Sequence, residues 1–298
     1  MANLSLKGIF PPLPTSFNKE ENLLAEKIRF NITRLSAFDL SGFLILGSNG
    51  ELVMLSEKEK VEAIAAAKNA IPAGKILLAG TGGQSTRETI NLTKAAAATG
   101  ADAVLVLNPF YFKSQMTAPA LVKHYYDVAD ASPVPVIVYN MPGNTGVDMS
   151  ADMIIEMSLH QNIIGLKESG GNVVKIGDVI RGSKPGFQVL AGGAGFLLPA
   201  LTMGAVGGIL ALANIAPAKC IEIYRYFLEG DIVKAREIQH KVIPINSAIT
   251  SQWGVPALKE AMDHIGLYGG PARKPLLPLN NVVREQLIKL LEENNIRL

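Results

Sequence analysis

Cysteine is almost absent from this chain, and long apolar runs are missing. The single cysteine, Cys220, excludes an internal disulfide and any metal site built from clustered thiolates. No stretch reaches the roughly 18 uninterrupted apolar residues of a membrane span, and residues 1–8 carry no secretory cleavage pattern. We therefore expect a soluble, cytoplasmic protein with no membrane partner.

An excess of charge of either sign is also absent. The formal net charge is +2, and Lys and Arg are scattered along the 298 residues rather than grouped. Nucleic acid is therefore not an expected partner. Hydrophobic residues make up 48% of the chain, which is enough to bury a sizeable core. The length allows one large domain or two small ones.

Short apolar runs alternate with longer segments of helical spacing up to about residue 228. The predicted strands are 8–12, 42–46, 75–79, 103–107, 136–139, 163–167, 188–191 and 207–210. The predicted helices are 24–38, 57–70, 86–98, 118–129, 151–158, 173–180, 195–202 and 215–228. Ser56 before Glu59, and Ser85 before Glu88, have the spacing of a capping box at a helix start.

Eight strands, each followed by a helix, predict parallel strands joined by right-handed crossovers. This α/β pattern fits a (β/α)₈ TIM barrel, which takes roughly 200 to 250 residues. A doubly wound open sheet is the alternative, because strand count alone does not establish closure. The segment Gly80-Thr81-Gly82-Gly83-Gln84 lacks the third glycine of a dinucleotide fingerprint, so we interpret it as a turn.

The pattern changes after the eighth unit. We assign residues 1–230 to the barrel, which carries the active site, and residues 231–298 to a C-terminal helical region packed on the barrel. Three helices are predicted in this region, at about 231–250, 256–265 and 282–294.

Reactive side chains follow several predicted strands, at the edge where barrel active sites lie. Lys167 ends a buried strand; burial disfavours the ammonium form, and a neutral amine attacks carbonyl groups. The alternative is a lysine that extends to solvent. Tyr139 can move protons, although a core tyrosine is a serious alternative. Gly47-Ser48-Asn49-Gly50 can present N–H groups to a carboxylate, or it is an ordinary turn. Together these residues indicate an imine-forming enzyme that acts on a 2-oxo acid.

Histidine is missing from these strand ends. A metal-dependent aldolase or hydrolase needs ligands there, and a serine hydrolase needs a histidine base, so we expect neither class and no metal or cofactor. Glu51 and Glu168 remain as acid–base candidates, but strand alternation directs Glu168 away from Lys167, which favours an outward structural role. The four histidines, all on predicted helices or at their ends, are His124, His160, His240 and His264.

Three segments give the chain a recognisable pattern along nearly its whole length. With these segments the chain resembles the pyruvate-dependent class I aldolase family that includes dihydrodipicolinate synthase and N-acetylneuraminate lyase. The resemblance implies a homotetramer built from two tight dimers, with small-molecule substrates. The segments are Gly47-Ser48-Asn49-Gly50-Glu51, Tyr139-Asn140-Met141-Pro142 and Gly165-Leu166-Lys167-Glu168.

The same resemblance implies individual roles. Lys167 would form the Schiff base, and Tyr139 would shuttle protons through a hydroxyl relay with Ser48 and with Tyr111 from a neighbouring subunit. The implied catalytic residues are Lys167, Tyr139, Ser48 and Tyr111. The implied substrate-binding residues are Ser48, Asn49, Ser169, Gly192, Ile209 and Asn144.

One position departs from the synthase pattern. Dihydrodipicolinate synthases typically carry an arginine in the loop after the tyrosine, whereas this chain has Asn144, and a neutral amide lacks the bidentate grip of a guanidinium. This loop is similar to that of 4-hydroxy-2-oxoglutarate aldolases, and so are Ser48-Asn49, Ser169-Gly170-Gly171, the segment 187–192 and Gly269-Gly270-Pro271. The resemblance implies that Ser169 and Gly192 contact the distal part of the substrate. We therefore favour cleavage of a 4-hydroxy-2-oxo acid into pyruvate and an aldehyde. Dihydrodipicolinate synthesis and a sugar-acid aldolase are the alternatives.

Two other classes of protein remain as alternatives: a phosphate-binding barrel enzyme and a non-catalytic sensor. Gly192-Gly193-Ala194-Gly195 follows the seventh strand and precedes a helix, where barrel enzymes often bind phosphate. A non-catalytic sensor of 2-oxo acids would keep the same pocket and release no aldehyde.

Overall fold

A computed structural model describes residues 4–298. Residues 1–3, which belong to the predicted barrel domain and to the segment 1–8, lie outside the described residues. All eight predicted strands are present and parallel, in the order β1-β8-β7-β6-β5-β4-β3-β2. Their nearly continuous apolar runs are buried on both faces, as parallel strands covered by helices require. The strands are β1 Gly8–Phe10, β2 Gly42–Ile45, β3 Ile76–Gly80, β4 Ala103–Leu107, β5 Val136–Asn140, β6 Ile163–Glu168, β7 Gln188–Ala191 and β8 Gly207–Ile209.

The sheet closes between β1 and β2. Ser41 N donates to Ile9 O at 3.0 Å and Leu44 N donates to Pro11 O at 3.0 Å, and Pro12 forms a parallel bridge with Leu44. The fold is therefore a TIM barrel, and the open doubly wound alternative is wrong. Closure brings the carboxyl ends of all eight strands to one end of the barrel.

The helices cover the outside of the barrel. The Ser56–Glu59 capping box is confirmed, and Ser85 Oγ accepts from Glu88 N at 3.1 Å. The first helix is shorter than the predicted segment 24–38, because it ends at Leu35. The helices are α1 Ala25–Leu35, α2 Glu57–Lys68, α3 Thr86–Ala98, α4 Ala118–Ala131, α5 Pro142–Thr145, α6 Ala151–Ser158, α7 Val173–Gly182, α8 Leu197–Thr202, α9 Pro217–Leu228, α10 Ile232–Ser247, α11 Gly254–His264 and α12 Asn281–Glu293.

The buried apolar side chains form two layers. The larger layer lies between the strands and the surrounding helices. The smaller layer fills the barrel interior and includes Phe10, Leu44, Leu78, Ile137 and Leu190. The interior is therefore a packed core that closes the barrel below its carboxyl end.

The C-terminal helices differ from the prediction in one respect. The predicted helix 231–250 ends at Ser247 and continues as a π-helical turn, Ala248–Gln252. Pro244 lies inside α10 and removes one N–H donor there. The side chain of Gln239 fixes α10 to the barrel, because it donates to Ala194 O at 2.8 Å and accepts from Leu198 N at 2.9 Å. The division of the chain at residue 230 stays a prediction. Within residues 4–298, no helix is both long and apolar enough to cross a bilayer.

Candidate active site

Three of the predicted catalytic side chains meet at the carboxyl end of the barrel. Tyr139 on β5 and Lys167 on β6 are paired neighbours in the sheet register, and each is 3% exposed. Lys167 Nζ lies 4.1 Å from the centroid of the Tyr139 ring. The Tyr139 hydroxyl lies 3.1 Å from Ser48 Oγ, within hydrogen-bonding distance. An amine, a phenol and a second hydroxyl therefore form one continuous set.

A cleft of about 1010 Å³ opens over this set. A volume of this size falls at the upper end of the range for small-molecule sites, about 300–1,000 Å³. Seven predicted site residues line the cleft: Ser48, Asn49, Tyr139, Asn144, Lys167, Ser169 and Gly192.

The turn after β2 has backbone groups that can receive an anion. Gly50 N donates to Gly47 O at 3.0 Å, and Glu51 N donates to Ser48 O at 3.1 Å. Among residues 4–298, the N–H groups of Ser48 and Asn49 form no such bond to another protein group. Glu51 has a positive φ of 57°, a conformation that non-glycine residues adopt rarely and that concentrates at functional sites. The turn can therefore offer two adjacent N–H donors to a carboxylate.

The wall on the side of β6 and β7 is held by close backbone contacts. Gly192 N donates to Glu168 O at 2.7 Å. A Cβ atom on Gly192 would collide with Ser169 Oγ, so only glycine fits beside that serine. Ser169 Oγ is buried and has no hydrogen-bond partner among the described residues. Ser169 also lines the cleft.

Two predicted site residues lie apart from the cleft. Tyr111 is 76% exposed and its ring packs edge-on against Phe112, with 5.0 Å between the centroids. Gln84 Oε1 accepts from the Tyr111 N–H at 2.9 Å and so fixes the backbone of this segment. Ile209 is fully buried in the barrel interior rather than on the cleft surface. The roles of Tyr111 and Ile209 stay predictions.

The two acid–base candidates are engaged in buried ion pairs. Glu51 lines the cleft, but its carboxylate lies 2.6 Å from Lys259 Nζ and accepts from Arg273 N at 2.7 Å. Burial lowers the pKa of Lys259, and the attraction of Glu51 opposes this shift. Glu168 lies outside the cleft lining and contacts Lys175 of α7 at 3.2 Å. Its predicted structural role fits these contacts, but it is fully buried rather than facing solvent.

The C-terminal region contributes a wall that the sequence analysis missed. Asn246 of α10, Thr250 of the π-helical turn and Trp253 line the cleft. The sequence signal was Pro244 within a helical pattern, because a proline and a π turn interrupt regular helices, and π turns are frequent at functional sites. These residues therefore line the same cleft as the residues at the ends of the strands.

Histidines take no part in the lining of the cleft within residues 4–298. His124 is 5% exposed, its ring nitrogen lies 2.9 Å from Thr86 Oγ1, and burial lowers its pKa to about 4. His160 lies 3.0 Å from the carboxylate of Asp130. In the same range, no group of three or more His, Cys, Asp or Glu side chains is arranged to hold a metal ion.

Comparisons with known proteins agree with this geometry. The family described as the dihydrodipicolinate synthetase family matches residues 5–294. A 4-hydroxy-tetrahydrodipicolinate synthase of Methanospirillum hungatei is 36% identical over 96% of this chain and 98% of its own length. A probable mitochondrial 4-hydroxy-2-oxoglutarate aldolase of Emericella nidulans is 36% identical over 92% of this chain and 91% of its own length.

A solved structure supports the same conclusion. The dihydrodipicolinate synthase of Aquifex aeolicus superposes with a TM-score of 0.93 at 29% identity, over 98% of this chain and 99% of that one. Fold, site and relatives together define a carbon–carbon lyase of the class I, Schiff-base type. The chain belongs to the dihydrodipicolinate synthetase family.

Proposed function

We propose that this enzyme makes or cleaves the carbon–carbon bond between pyruvate and an aldehyde, with Lys167 as the Schiff-base lysine. The observation that carries the proposal is the contact set in the cleft: Lys167 Nζ is 4.1 Å from the Tyr139 ring centroid, and the Tyr139 hydroxyl is 3.1 Å from Ser48 Oγ. A buried amine beside hydroxyl groups is the arrangement that imine chemistry needs, because imine formation requires both a nucleophile and proton transfer.

The cleavage direction starts from a 4-hydroxy-2-oxo acid. Lys167 Nζ adds to the C2 ketone, water leaves, and a protonated imine forms. The C3–C4 bond then breaks as the 4-hydroxyl loses its proton, the aldehyde departs, and the electron pair moves into an enamine. Protonation at C3 and hydrolysis of the imine release pyruvate and restore the amine.

Proton transfer falls to the hydroxyl relay. The Tyr139 hydroxyl accepts the proton of the 4-hydroxyl and exchanges protons with Ser48 Oγ, to which it lies at 3.1 Å. The free N–H groups of Ser48 and Asn49 bind the carboxylate next to the ketone. Tyr111 of a neighbouring subunit completes the relay, since its own chain leaves it 76% exposed and away from the cleft.

The substrate class is a 4-hydroxy-2-oxo acid of the 4-hydroxy-2-oxoglutarate type. Asn144, Ser169 and Gly192 line the cleft, and we assign them to the distal part of the substrate. None of them supplies the guanidinium that the synthase pattern implied. The relative from Emericella nidulans is named as a probable 4-hydroxy-2-oxoglutarate aldolase, whereas several others are named as synthases. Dihydrodipicolinate synthesis and a sugar-acid aldolase are the competing activities.

A substrate panel tests the proposal. We expect aldehyde and pyruvate release from 4-hydroxy-2-oxoglutarate, with a higher kcat/KM than for sugar-derived 2-oxo acids or for the formation of 4-hydroxy-tetrahydrodipicolinate. Lys167→Ala should abolish release. A non-catalytic sensor would bind pyruvate and release no aldehyde from any substrate, and a requirement for a phosphate group on the substrate would favour the phosphate-binding alternative.

We further propose that the enzyme is a cytoplasmic homotetramer, a dimer of dimers. The supporting feature is the exposed aromatic pair Tyr111 and Phe112, which are 76% and 67% exposed, because exposed apolar groups of this size are common at interfaces. Light scattering tests the assembly: a tetramer is expected, and Phe112→Asp should shift it towards smaller species. A monomeric enzyme with full activity would contradict the role of Tyr111. Cell fractionation tests the compartment.

A further inference from the structure

A buried carboxylate follows the proposed Schiff-base lysine directly. Glu168 is 0% exposed, and strand alternation puts its side chain on the other side of β6 from Lys167. Its Oε1 accepts from Gly170 N at 2.5 Å, and its Oε2 accepts from Asn140 Nδ2 at 2.9 Å. Lys175 Nζ lies 3.2 Å from Oε2. This carboxylate therefore contacts β5, the turn after β6, and α7.

Asn140, on the neighbouring strand β5, is the hydrogen-bond partner of Glu168. It follows Tyr139 directly and is paired with Glu168, as Tyr139 is paired with Lys167. Asn140 Nδ2 also donates to Asp148 Oδ1 at 2.7 Å, and Asn140 Oδ1 accepts from Met149 N at 3.0 Å. The loop after β5 is thereby fixed to the two strand ends.

Lys175 closes the arrangement from α7. Its ammonium donates to Asp148 and lies against Glu168, so one cation bridges two carboxylates. Burial raises the pKa of Asp148, but hydrogen bonds from Lys175 and Asn140 outweigh it, and the net shift is downward. We name the four side chains Asn140, Asp148, Glu168 and Lys175 the carboxylate clamp.

A contribution to folding stability alone does not explain why the protein has this buried charged cluster. Replacing a buried ion pair with apolar residues of similar volume is often neutral or stabilising, because desolvation offsets the attraction. Charged hydrogen bonds fix direction, however, and the clamp joins the residues that directly follow Tyr139 and Lys167.

We propose that Glu168 is a positioning residue: through the carboxylate clamp it holds the ends of β5 and β6 in the register that keeps the Tyr139 hydroxyl close enough to the substrate on Lys167 for proton transfer. The inference rests on the proposed function. Catalytic groups must be held close to their productive geometry, and a misplacement of about 1 Å can lower a rate about 100-fold.

The first test is Glu168→Gln, which keeps the side-chain volume but cannot accept hydrogen bonds from the same set of donors. We expect kcat to fall about 10- to 100-fold, while KM for the substrate changes little and borohydride still traps pyruvate on Lys167. The reason is that imine formation needs the amine, whereas turnover needs the aligned phenol.

Asn162→Ala is the matched control, because it loosens the amino ends of the same two strands. Asn162 is 6% exposed, and its amide donates to Ala129 O, Ser132 O and Val134 O at 3.0, 3.1 and 3.2 Å. It lies outside the cleft lining. This variant should lose stability and keep kcat within about twofold of the wild type, since no group near the reacting atoms moves.

Two further results decide the inference. If Glu168→Gln does not fold, Lys175→Met serves instead, and it should also lower kcat with pyruvate trapping intact. Wild-type turnover in either soluble variant, or a kcat loss equal to that of Asn162→Ala, would overturn the positioning role alone. A wild-type enzyme that traps no pyruvate would contradict the proposed function itself.

Discussion

Replacing Tyr139 with phenylalanine separates imine formation from proton transfer. The ring would stay beside Lys167, where Nζ lies 4.1 Å from the ring centroid, and only the hydroxyl bonded to Ser48 Oγ at 3.1 Å would be lost. A positioned acid–base group contributes typically about 10²- to 10⁴-fold to a rate. This range corresponds to about 3 to 5 kcal/mol in the activation barrier. We therefore expect kcat to fall by a factor in this range.

The fold should tolerate the change. Removing one hydrogen-bonded hydroxyl costs about 1 kcal/mol of unfolding free energy, which is far less than the effect on the barrier. The amine is untouched, so borohydride should still reduce a pyruvyl imine onto Lys167. The assay measures pyruvate release under steady-state conditions and adduct yield by mass spectrometry on the same samples.

Tyr126→Phe is the matched control. Tyr126 is partly buried and its hydroxyl donates to Glu156 O at 2.8 Å, but it lies on α4 outside the cleft lining. This variant loses the same atoms and should keep kcat within about twofold, at a stability cost of about 1 kcal/mol. If Tyr139→Phe also keeps its turnover, the proton-transfer role of Tyr139 is refuted.

Three other perturbations follow from the site and the core. Ser48→Ala should lower kcat/KM about tenfold by removing the partner of the Tyr139 hydroxyl, and steady-state kinetics that match the wild type would contradict the relay. Gly192→Ala should raise KM for the 4-hydroxy-2-oxo acid, because the added methyl group displaces Ser169 Oγ; an unchanged KM would contradict the role of Ser169. Burial lowers the pKa of His124 from 6.5 to about 4, so the unfolded chain binds this proton first as the pH falls. The neutral histidine thus contributes stability that is complete above pH 6.5 and falls by about 3 kcal/mol towards pH 4. Denaturant unfolding at several pH values measures this loss of stability. His124→Gln should reduce the pH dependence of the unfolding free energy, and an unchanged dependence in this variant would contradict the prediction.

The strands, and the meeting of Lys167, Tyr139 and Ser48 at the strand ends, could be predicted from the sequence because both depend on local pattern. Apolar runs of strand length indicated all eight strands, and the residues at or just after their ends include Lys167, Tyr139 and Ser48. Parallel strands place their carboxyl ends at one edge, so three residues far apart in the chain could be expected to meet. The contacts of Lys167 with the Tyr139 ring, and of Tyr139 with Ser48, agree with that expectation.

Contacts between distant segments could not be predicted in the same way. Barrel closure depends on a few hydrogen bonds between β1 and β2, and nothing in either segment alone specifies them. The wall containing Asn246 and Thr250 depends on how α10 docks. Alternation gave the direction of Glu168 but not its burial, because a strand pattern does not show which helix covers its outer face.

We propose that one buried amine, Lys167, carries the chemistry. The direct measurement is borohydride reduction of the wild-type enzyme with pyruvate, followed by peptide mapping, with Lys167→Ala and Lys175→Ala treated in parallel. We predict a single pyruvyl adduct on Lys167 in the wild type and in Lys175→Ala, and none in Lys167→Ala. An adduct on another lysine, or an active enzyme that yields no adduct, would contradict the account.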